Sequence, residues 1–281
     1  HDDYGDYSTN EPTLDGTAGL VYSLAALERD GGKNRPKGNL LYSYGGVIRT
    51  DTTKKEINLV FTSDGHVDGY ETIRAVLKKH NIKAGFFFTG NFYRKAELAP
   101  IVRALKADGH YLGAHSDRHL LYAPWENRDS TLVTKEQFLD DLKGNYAEMA
   151  KFGIKREDAP YFLPAYEWYN DTISAWTREF GLTLVNLTPG TSVNQDWTVP
   201  EPGAMYYSTN ELYNRVLDYE ANNVMNLYNR SETNGLNGFT MLIHVGTDPR
   251  RTDKFYNRLD DLVTELKRRG YRFTSLTETI R

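Results

Sequence analysis

Ile57-Asn58-Leu59-Val60-Phe61-Thr62-Ser63-Asp64-Gly65 is an apolar run that stops abruptly on Ser-Asp-Gly. A run of that kind bounded by turn-forming residues reads as a buried β-strand, and its terminal carboxylate falls where strand gives way to loop. The residues that follow repeat the theme. Tyr70, Ile73, Val76 and Leu77 recur at helical spacing, and Lys83-Ala84-Gly85-Phe86-Phe87-Phe88 then reads as a second buried strand, completing a βαβ unit. Leu98, Ile101, Val102 and Leu105 mark the next helix, Gly109 closes it as a C-cap, and a third strand, Tyr111-Leu112-Gly113-Ala114, leads into His115-Ser116-Asp117-Arg118-His119.

The alternation continues to the C-terminus. Thr134 and Gln137 have the spacing of a capping box for a helix carrying Leu139, Leu142, Tyr146 and Met149, and Pro160 to Leu163 resumes extended structure. Helices are expected over Ile173–Phe180, Glu211–Val224 and Leu259–Leu266, with strands over Leu182–Leu187, Phe239–Ile243 and Tyr271–Ser275. No Pro/Gly/Ser linker splits the run, so the expectation is an α/β fold with a mainly parallel sheet. Seven strands fit a barrel or an open doubly wound sheet. The barrel is preferred because Asp64, His115, His119, Tyr166, Asp196 and His244 follow strands from both halves of the chain, Asp196 after a longer loop, and in a barrel those strand ends converge on one mouth. Residues 1–53, rich in Gly, Asp, Thr and Tyr with one helical pattern around Leu20–Leu27, read as an N-terminal extension packed on a main domain of residues 54–281.

Composition narrows the function classes. In 281 residues, hydrophobic types make up 39%, charged types 26%, and the net charge is −4, which lacks the basic excess of a nucleic-acid binder. No stretch approaches a membrane span. The absence of cysteine excludes disulfides, thiolate metal sites and thiol nucleophiles. The chain starts at His1 with no initiator Met, in keeping with a removed export signal.

Two imidazoles four residues apart, directly after a strand, can share a divalent metal if an acidic residue joins them, and Asp64 is the candidate third ligand. Taken alone, Asp64 is as readily a helix N-cap, and any single histidine is more readily structural than a ligand. Histidine lacks the neighbouring Glu of a zincin in this segment, which argues against that class of protease.

Over about Ile57 to Arg281 the chain resembles the polysaccharide deacetylase family, carbohydrate esterase family 4. The family's Thr-Phe-Asp-Asp-Gly appears as Phe61-Thr62-Ser63-Asp64-Gly65, its His-Ser/Thr-x-x-His is matched in full by His115 to His119, and its Arg-x-Pro-Tyr/Phe element appears as Leu163-Pro164-Ala165-Tyr166. Asp196-Trp197 and Leu242-Ile243-His244 match the remaining two motifs. The resemblance implies a distorted (β/α)7 barrel of the polysaccharide deacetylase type and metal-dependent removal of N- or O-linked acetyl groups from an oligo- or polysaccharide. It implies a divalent ion, Zn²⁺ first with Co²⁺, Ni²⁺ or Mn²⁺ as alternatives, on Asp64, His115 and His119. It also implies Tyr166 as a backbone oxyanion donor, His244 as general acid held by Asp196, and Trp197 beside that histidine, with Trp168 as a further sugar-binding aromatic. A secreted, periplasmic or cell-surface location in a bacterium goes with such a substrate.

The chain departs from the pattern at two linked places. Ser63 stands where the family has its catalytic base, and Leu163 where it has the arginine that orients that base. Three routes stay open: metal-bound hydroxide acting alone, a substitute base among Glu167, Asp68 and His66, with Glu167 first because it adjoins Tyr166, or a pseudoenzyme that retains metal and binds glycan without turnover. A metallohydrolase of another barrel family, exposed by a fourth ligand such as His66, is a further alternative.

Overall fold

A computed structural model describes residues 39–201, 205–221 and 235–280. The helical pattern at Leu20–Leu27, most of the expected extension and the end of the helix expected over Glu211–Val224 lie outside these described residues.

The strands are β1 (Leu41–Ser43), β2 (Gly46–Arg49), β3 (Glu56–Ser63), β4 (Gly85–Phe88), β5 (Tyr111–Ala114), β6 (Tyr161–Phe162), β7 (Thr183–Leu184), β8 (Phe239–His244) and β9 (Arg272–Thr274). They form one sheet in the order β1-β2-β8-β3-β4-β5-β6-β7, with β9 beside the start of β3. From β8 across to β7 every pairing is parallel, as βαβ connections require. Helices α1 (Tyr70–His80), α2 (Gly90–Arg94), α3 (Ala99–Ala107), α4 (Lys135–Ala150), α5 (Asp171–Glu179), α6 (Thr209–Ala221), α7 (Leu259–Arg268) and α8 (Leu276–Thr279) lie between or after the strands.

The sheet curls until its ends meet. Val47 of β2 bridges Val185 just beyond β7, and the Asn186 N–H donates to the Val47 carbonyl at 2.8 Å. This gives the curled, barrel-type sheet with surrounding helices that the βα alternation predicts. β1 and β2 are its departure: they lie ahead of position 54, run antiparallel to each other, and supply the closing strand. Their hairpin turns at Tyr44 and Gly45, both at positive φ (46° and 74°), the backbone twist of a two-residue β-turn. The Tyr-Gly-Gly at 44–46 was its one sequence signal, inside a segment otherwise too short and polar to stand out.

The core is aromatic on one side of β3 and β4. Phe61 stacks on Phe86 at 5.0 Å and Phe88 on Phe92 at 4.0 Å, all four fully buried. Such pairs add to plain area burial and hold the strands that carry the site in a fixed register. The Thr134/Gln137 capping box starts α4, and Gly109, at φ 77°, follows the end of α3 as expected.

Candidate functional site

Strand register assembles the site. Ser63 pairs with Phe88, Phe88 with Ala114, Ala114 with Phe162 and Phe162 with Leu184, while Thr62 pairs with His244. The parallel strands therefore end at one level, and the residues immediately after them, Asp64, Thr89, His115 and Leu163, line a single rim with His244. In a parallel barrel this carboxyl-end rim is where loops from many strands meet.

His115 is buried, and its Nδ1 lies 2.8 Å from the Leu163 carbonyl. A carbonyl only accepts, so Nδ1 carries the proton and Nε2 keeps its lone pair. Burial, reinforced by His119, drops the His115 pKa to about 3. The His119 ring lies 5.3 Å from that of His115, and burial lowers its pKa as well, against the upward pull of Asp64. Both imidazoles are neutral at pH 7, the form that binds metals.

The backbone around them is clamped from α4. Asn145 Oδ1 accepts from the His115 N–H at 2.8 Å, while Asp141 accepts from the Asp117 N–H at 2.9 Å, the Arg118 N–H at 3.2 Å and the Tyr122 hydroxyl at 2.6 Å. Sequence reading passed over both residues. Their signal was present: Phe138, Asp141, Leu142, Asn145, Tyr146 and Met149 form the buried stripe of α4, so two polar residues occupy core positions.

Asp64 is exposed and is not a helix cap, since α1 begins after Gly69 with no side-chain cap. Its Oδ1 accepts from Thr89 Oγ1 at 2.6 Å and Asn91 Nδ2 at 3.1 Å. Among the described residues no three His, Asp or Glu side chains gather closely enough to enclose an ion. The donor chemistry nonetheless suits a divalent cation: two neutral imidazoles, one with its tautomer fixed by an outer hydrogen bond, and a carboxylate oriented by two donors.

Opposite the histidines, His244 Nδ1 lies 2.6 Å from Asp196 Oδ1, and the His244 N–H donates to Asp196 Oδ2 at 3.0 Å. Burial would lower the His244 pKa, but the charge and hydrogen bond of Asp196, helped by Glu167, outweigh it and raise the value. Glu167 completes the group. Burial pushes its carboxyl up to about 7, with His244 pulling it down and Asp196 pushing it further up. Tyr166 and Glu167 both stand at positive φ (60° and 55°), and Asn186 Nδ2 donates to the Glu167 carbonyl at 2.7 Å. Two consecutive non-glycine residues in this region cost about 1–3 kcal/mol each and concentrate at functional sites.

Of the other base candidates, the Asp68 carboxylate is engaged, while the His66 side chain is exposed. Asp68 accepts from Thr247 N–H, Tyr256 OH and Lys254 Nζ, and these offset burial to lower its pKa. His66 uses its carbonyl to accept from Ser63 Oγ at 2.8 Å, and Ser63 Oγ in turn accepts from the Gly65 N–H at 3.0 Å. Ser63 is thus a turn-maker here, and Leu163 is fully buried. Ser63 and Leu163, which stand where the resembled pattern has a charged pair, are both neutral and leave no uncompensated buried charge.

Trp197 follows Asp196 and is 54% exposed. Trp168 is half-buried, with Nε1 donating to the Pro124 carbonyl at 3.1 Å. Its ring lies 5.3 Å from that of Trp125, a residue sequence reading did not single out, and Trp125 in turn reaches Tyr166 at 5.9 Å.

A sequence model described as Polysaccharide deacetylase matches residues 49–185. Among curated relatives, the peptidoglycan-N-acetylmuramic acid deacetylase PdaA of Bacillus subtilis is 25% identical over 242 residues, covering 85% of this chain and 77% of that protein. The structure of that PdaA, described as a family 4 carbohydrate esterase, superposes with a TM-score of 0.63 at 22% identity over 92% of this chain and 88% of that one. A structure described as a CE4 family pseudoenzyme from Bacillus anthracis superposes equally, with a TM-score of 0.63 at 19% identity over 85% of this chain and 70% of that one.

Proposed function

From the premise that this chain belongs to the polysaccharide deacetylase family, carbohydrate esterase family 4, as a divergent member, we propose that it is an active hydrolase. Its reaction is removal of acetyl groups, N- or O-linked, from a cell-envelope or other extracellular glycan, with Glu167 in the role that Ser63 no longer fills. The observation that carries this reading is the grouping of Glu167, His244 and Asp196 at the rim that also holds His115 and His119, with a Glu167 carboxyl titrating near 7. A base poised near the working pH is what proton abstraction from water requires.

In this reading His115, His119 and Asp64 hold a divalent ion, Zn²⁺ or a similar metal, which supplies Lewis-acid polarisation of the acetyl carbonyl and acidifies water. Glu167 takes the proton from the attacking water. The Tyr166 N–H donates to the developing oxyanion. His244, protonated and oriented by Asp196, gives its Nε2 proton to the departing nitrogen or oxygen. Trp197 and Trp168 offer aromatic faces to the sugar. A glycan substrate outside the cell goes with export; among the described residues no helix is long and apolar enough to cross a membrane.

Acetate release from N-acetylated and O-acetylated oligosaccharides, with Zn²⁺ or Co²⁺ supplied, tests the proposal. The neutral Ser63/Leu163 pair favours one competing reading, a pseudoenzyme that binds glycan without turnover. Absence of acetate release despite metal and glycan binding decides for that reading, and the Ser63→Asp variant then gains activity.

A further inference from the structure

The rim continues outward as an aromatic track. The His119 ring packs on Tyr166 at 4.4 Å, Tyr166 meets Trp125 at 5.9 Å, and Trp125 meets Trp168 at 5.3 Å. Tyr166, Trp125 and, at the far end, Tyr44 are 44%, 51% and 40% exposed. Exposed aromatic surface of this extent is unusual unless something covers it. Pyranose rings present flat C–H faces that stack on such rings, and a track continuous with the reaction rim fits successive sugars of one chain.

Its far end is charged. The Arg128 guanidinium carbon lies 3.8 Å from the Tyr44 ring centroid and 3.9 Å from that of Trp168, so the planar group is sandwiched between two aromatic faces. Nε donates to the Tyr169 carbonyl at 2.6 Å. Neither Nη nitrogen has a hydrogen-bond or ion-pair partner among the described residues. A guanidinium held rigid by stacking and anchored through Nε keeps its outer fork of N–H groups for a planar oxyanion, with little conformational entropy left to lose. Glu126 and Asp129 sit exposed on the same loop, so the discrimination must come from direct contact with the fork and not from a general positive field.

We propose that Tyr166, Trp125, Trp168, Arg128 and Tyr44 form a distal subsite for the substrate chain, and that Arg128 selects a glycan bearing a carboxylate on a sugar removed from the scissile acetyl group. This rests on the glycan reading of the rim. The carboxylate belongs either to a lactyl ether on an amino sugar or to a uronic acid, and both present the same two oxygens.

Titration of intrinsic tryptophan fluorescence tests this with the full chain and no turnover. The probes are acetylated oligosaccharides carrying lactyl carboxylates, acetylated oligosaccharides carrying uronates, the carboxyl-reduced form of each, and a neutral N-acetylglucosamine oligomer of equal length. At least one acidic probe binds about tenfold or more tighter than its reduced form, the scale of a charge-assisted hydrogen bond; which one identifies the source. Arg128→Gln erases that preference. Arg128→Lys, which keeps the charge and loses the fork, erases most of it. Trp125→Ala, at an exposed position that leaves the fold intact, weakens acidic and reduced probes alike. Equal binding of acidic and reduced probes, or a preference that survives Arg128→Gln in a variant with unchanged melting temperature, overturns the anionic subsite while leaving the glycan reading standing. Failure of every glycan to bind overturns both.

Discussion

Replacing Glu167 by Gln separates catalysis from architecture at one position. Its carboxyl titrates near 4.5 when unfolded and is pushed up to about 7 in the fold by burial. Below pH 4.5 both states hold the proton and nothing is lost. Between 4.5 and 7 the native state holds a proton that the unfolded state has released, so stability falls as pH rises, and the loss is complete above about 7. At about 1.4 kcal/mol per pKa unit the ceiling is about 3 kcal/mol, and the partial exposure of the side chain makes about 1–3 kcal/mol the realistic range. Glu167→Gln lacks that carboxylate. It should be more stable than the parent at pH 8 by that amount and nearly equal to it at pH 4, measured by urea unfolding at the two pH values. Acetate release should fall by about 10²–10⁴, the usual worth of a positioned base. The parent enzyme should show an acidic limb in kcat/KM centred near pH 7, with about a tenth of full activity at pH 6, and the variant should lack it. Activity within about threefold of the parent, with the acidic limb intact, would refute Glu167 as the base whatever happens to stability.

Asp196→Asn removes the charge that raises the His244 pKa while keeping a similar shape; kcat should drop by about 10²–10³ with KM little changed, read from steady-state kinetics. His119→Ala should abolish stoichiometric Co²⁺ binding in isothermal titration. In the parent, binding should persist to lower pH than it would for two solvent-exposed imidazoles, because burial lowers both histidine pKa values. Asn145→Ala leaves the His115 N–H without its acceptor and should cost about 1–3 kcal/mol in urea unfolding, with metal affinity weakened about 10- to 100-fold.

Most of the sheet was legible because parallel strands buried on both faces must be continuously apolar, and runs such as Lys83–Phe88 can be little else. Helix ends were legible where the chemistry is local, as at Thr134/Gln137 and Gly109. The hairpin at 41–49 was not, since its role comes from pairing with β8 and Val185, partners that no local pattern reveals. The same division holds at the rim. His115, His119 and His244 announced themselves by residue type and position after strands, and Asp196 by the family motif it resembles. Asp141, Asn145, Trp125 and Arg128 act through neighbours distant in sequence, and only folding discloses that an aspartate on an apolar helix stripe is holding a histidine loop in place.

Closure of the ring by β2 joins parts of the chain that are distant in sequence. Val47 and Val185 belong to opposite halves of the chain, so the loop they close is long and the joining step is entropically slow. Until β2 docks, the flank of β8 and the backbone beyond β7 stand open as unpaired edges, the surfaces on which chains recruit one another. Arg49, buried at the end of β2 with Nε and Nη2 on the carbonyls of Asn237 and Gly235, then works as a latch on the strand that follows. A chain trimmed just ahead of Ile57 would retain every residue of the reaction rim and still leave those two edges unpaired.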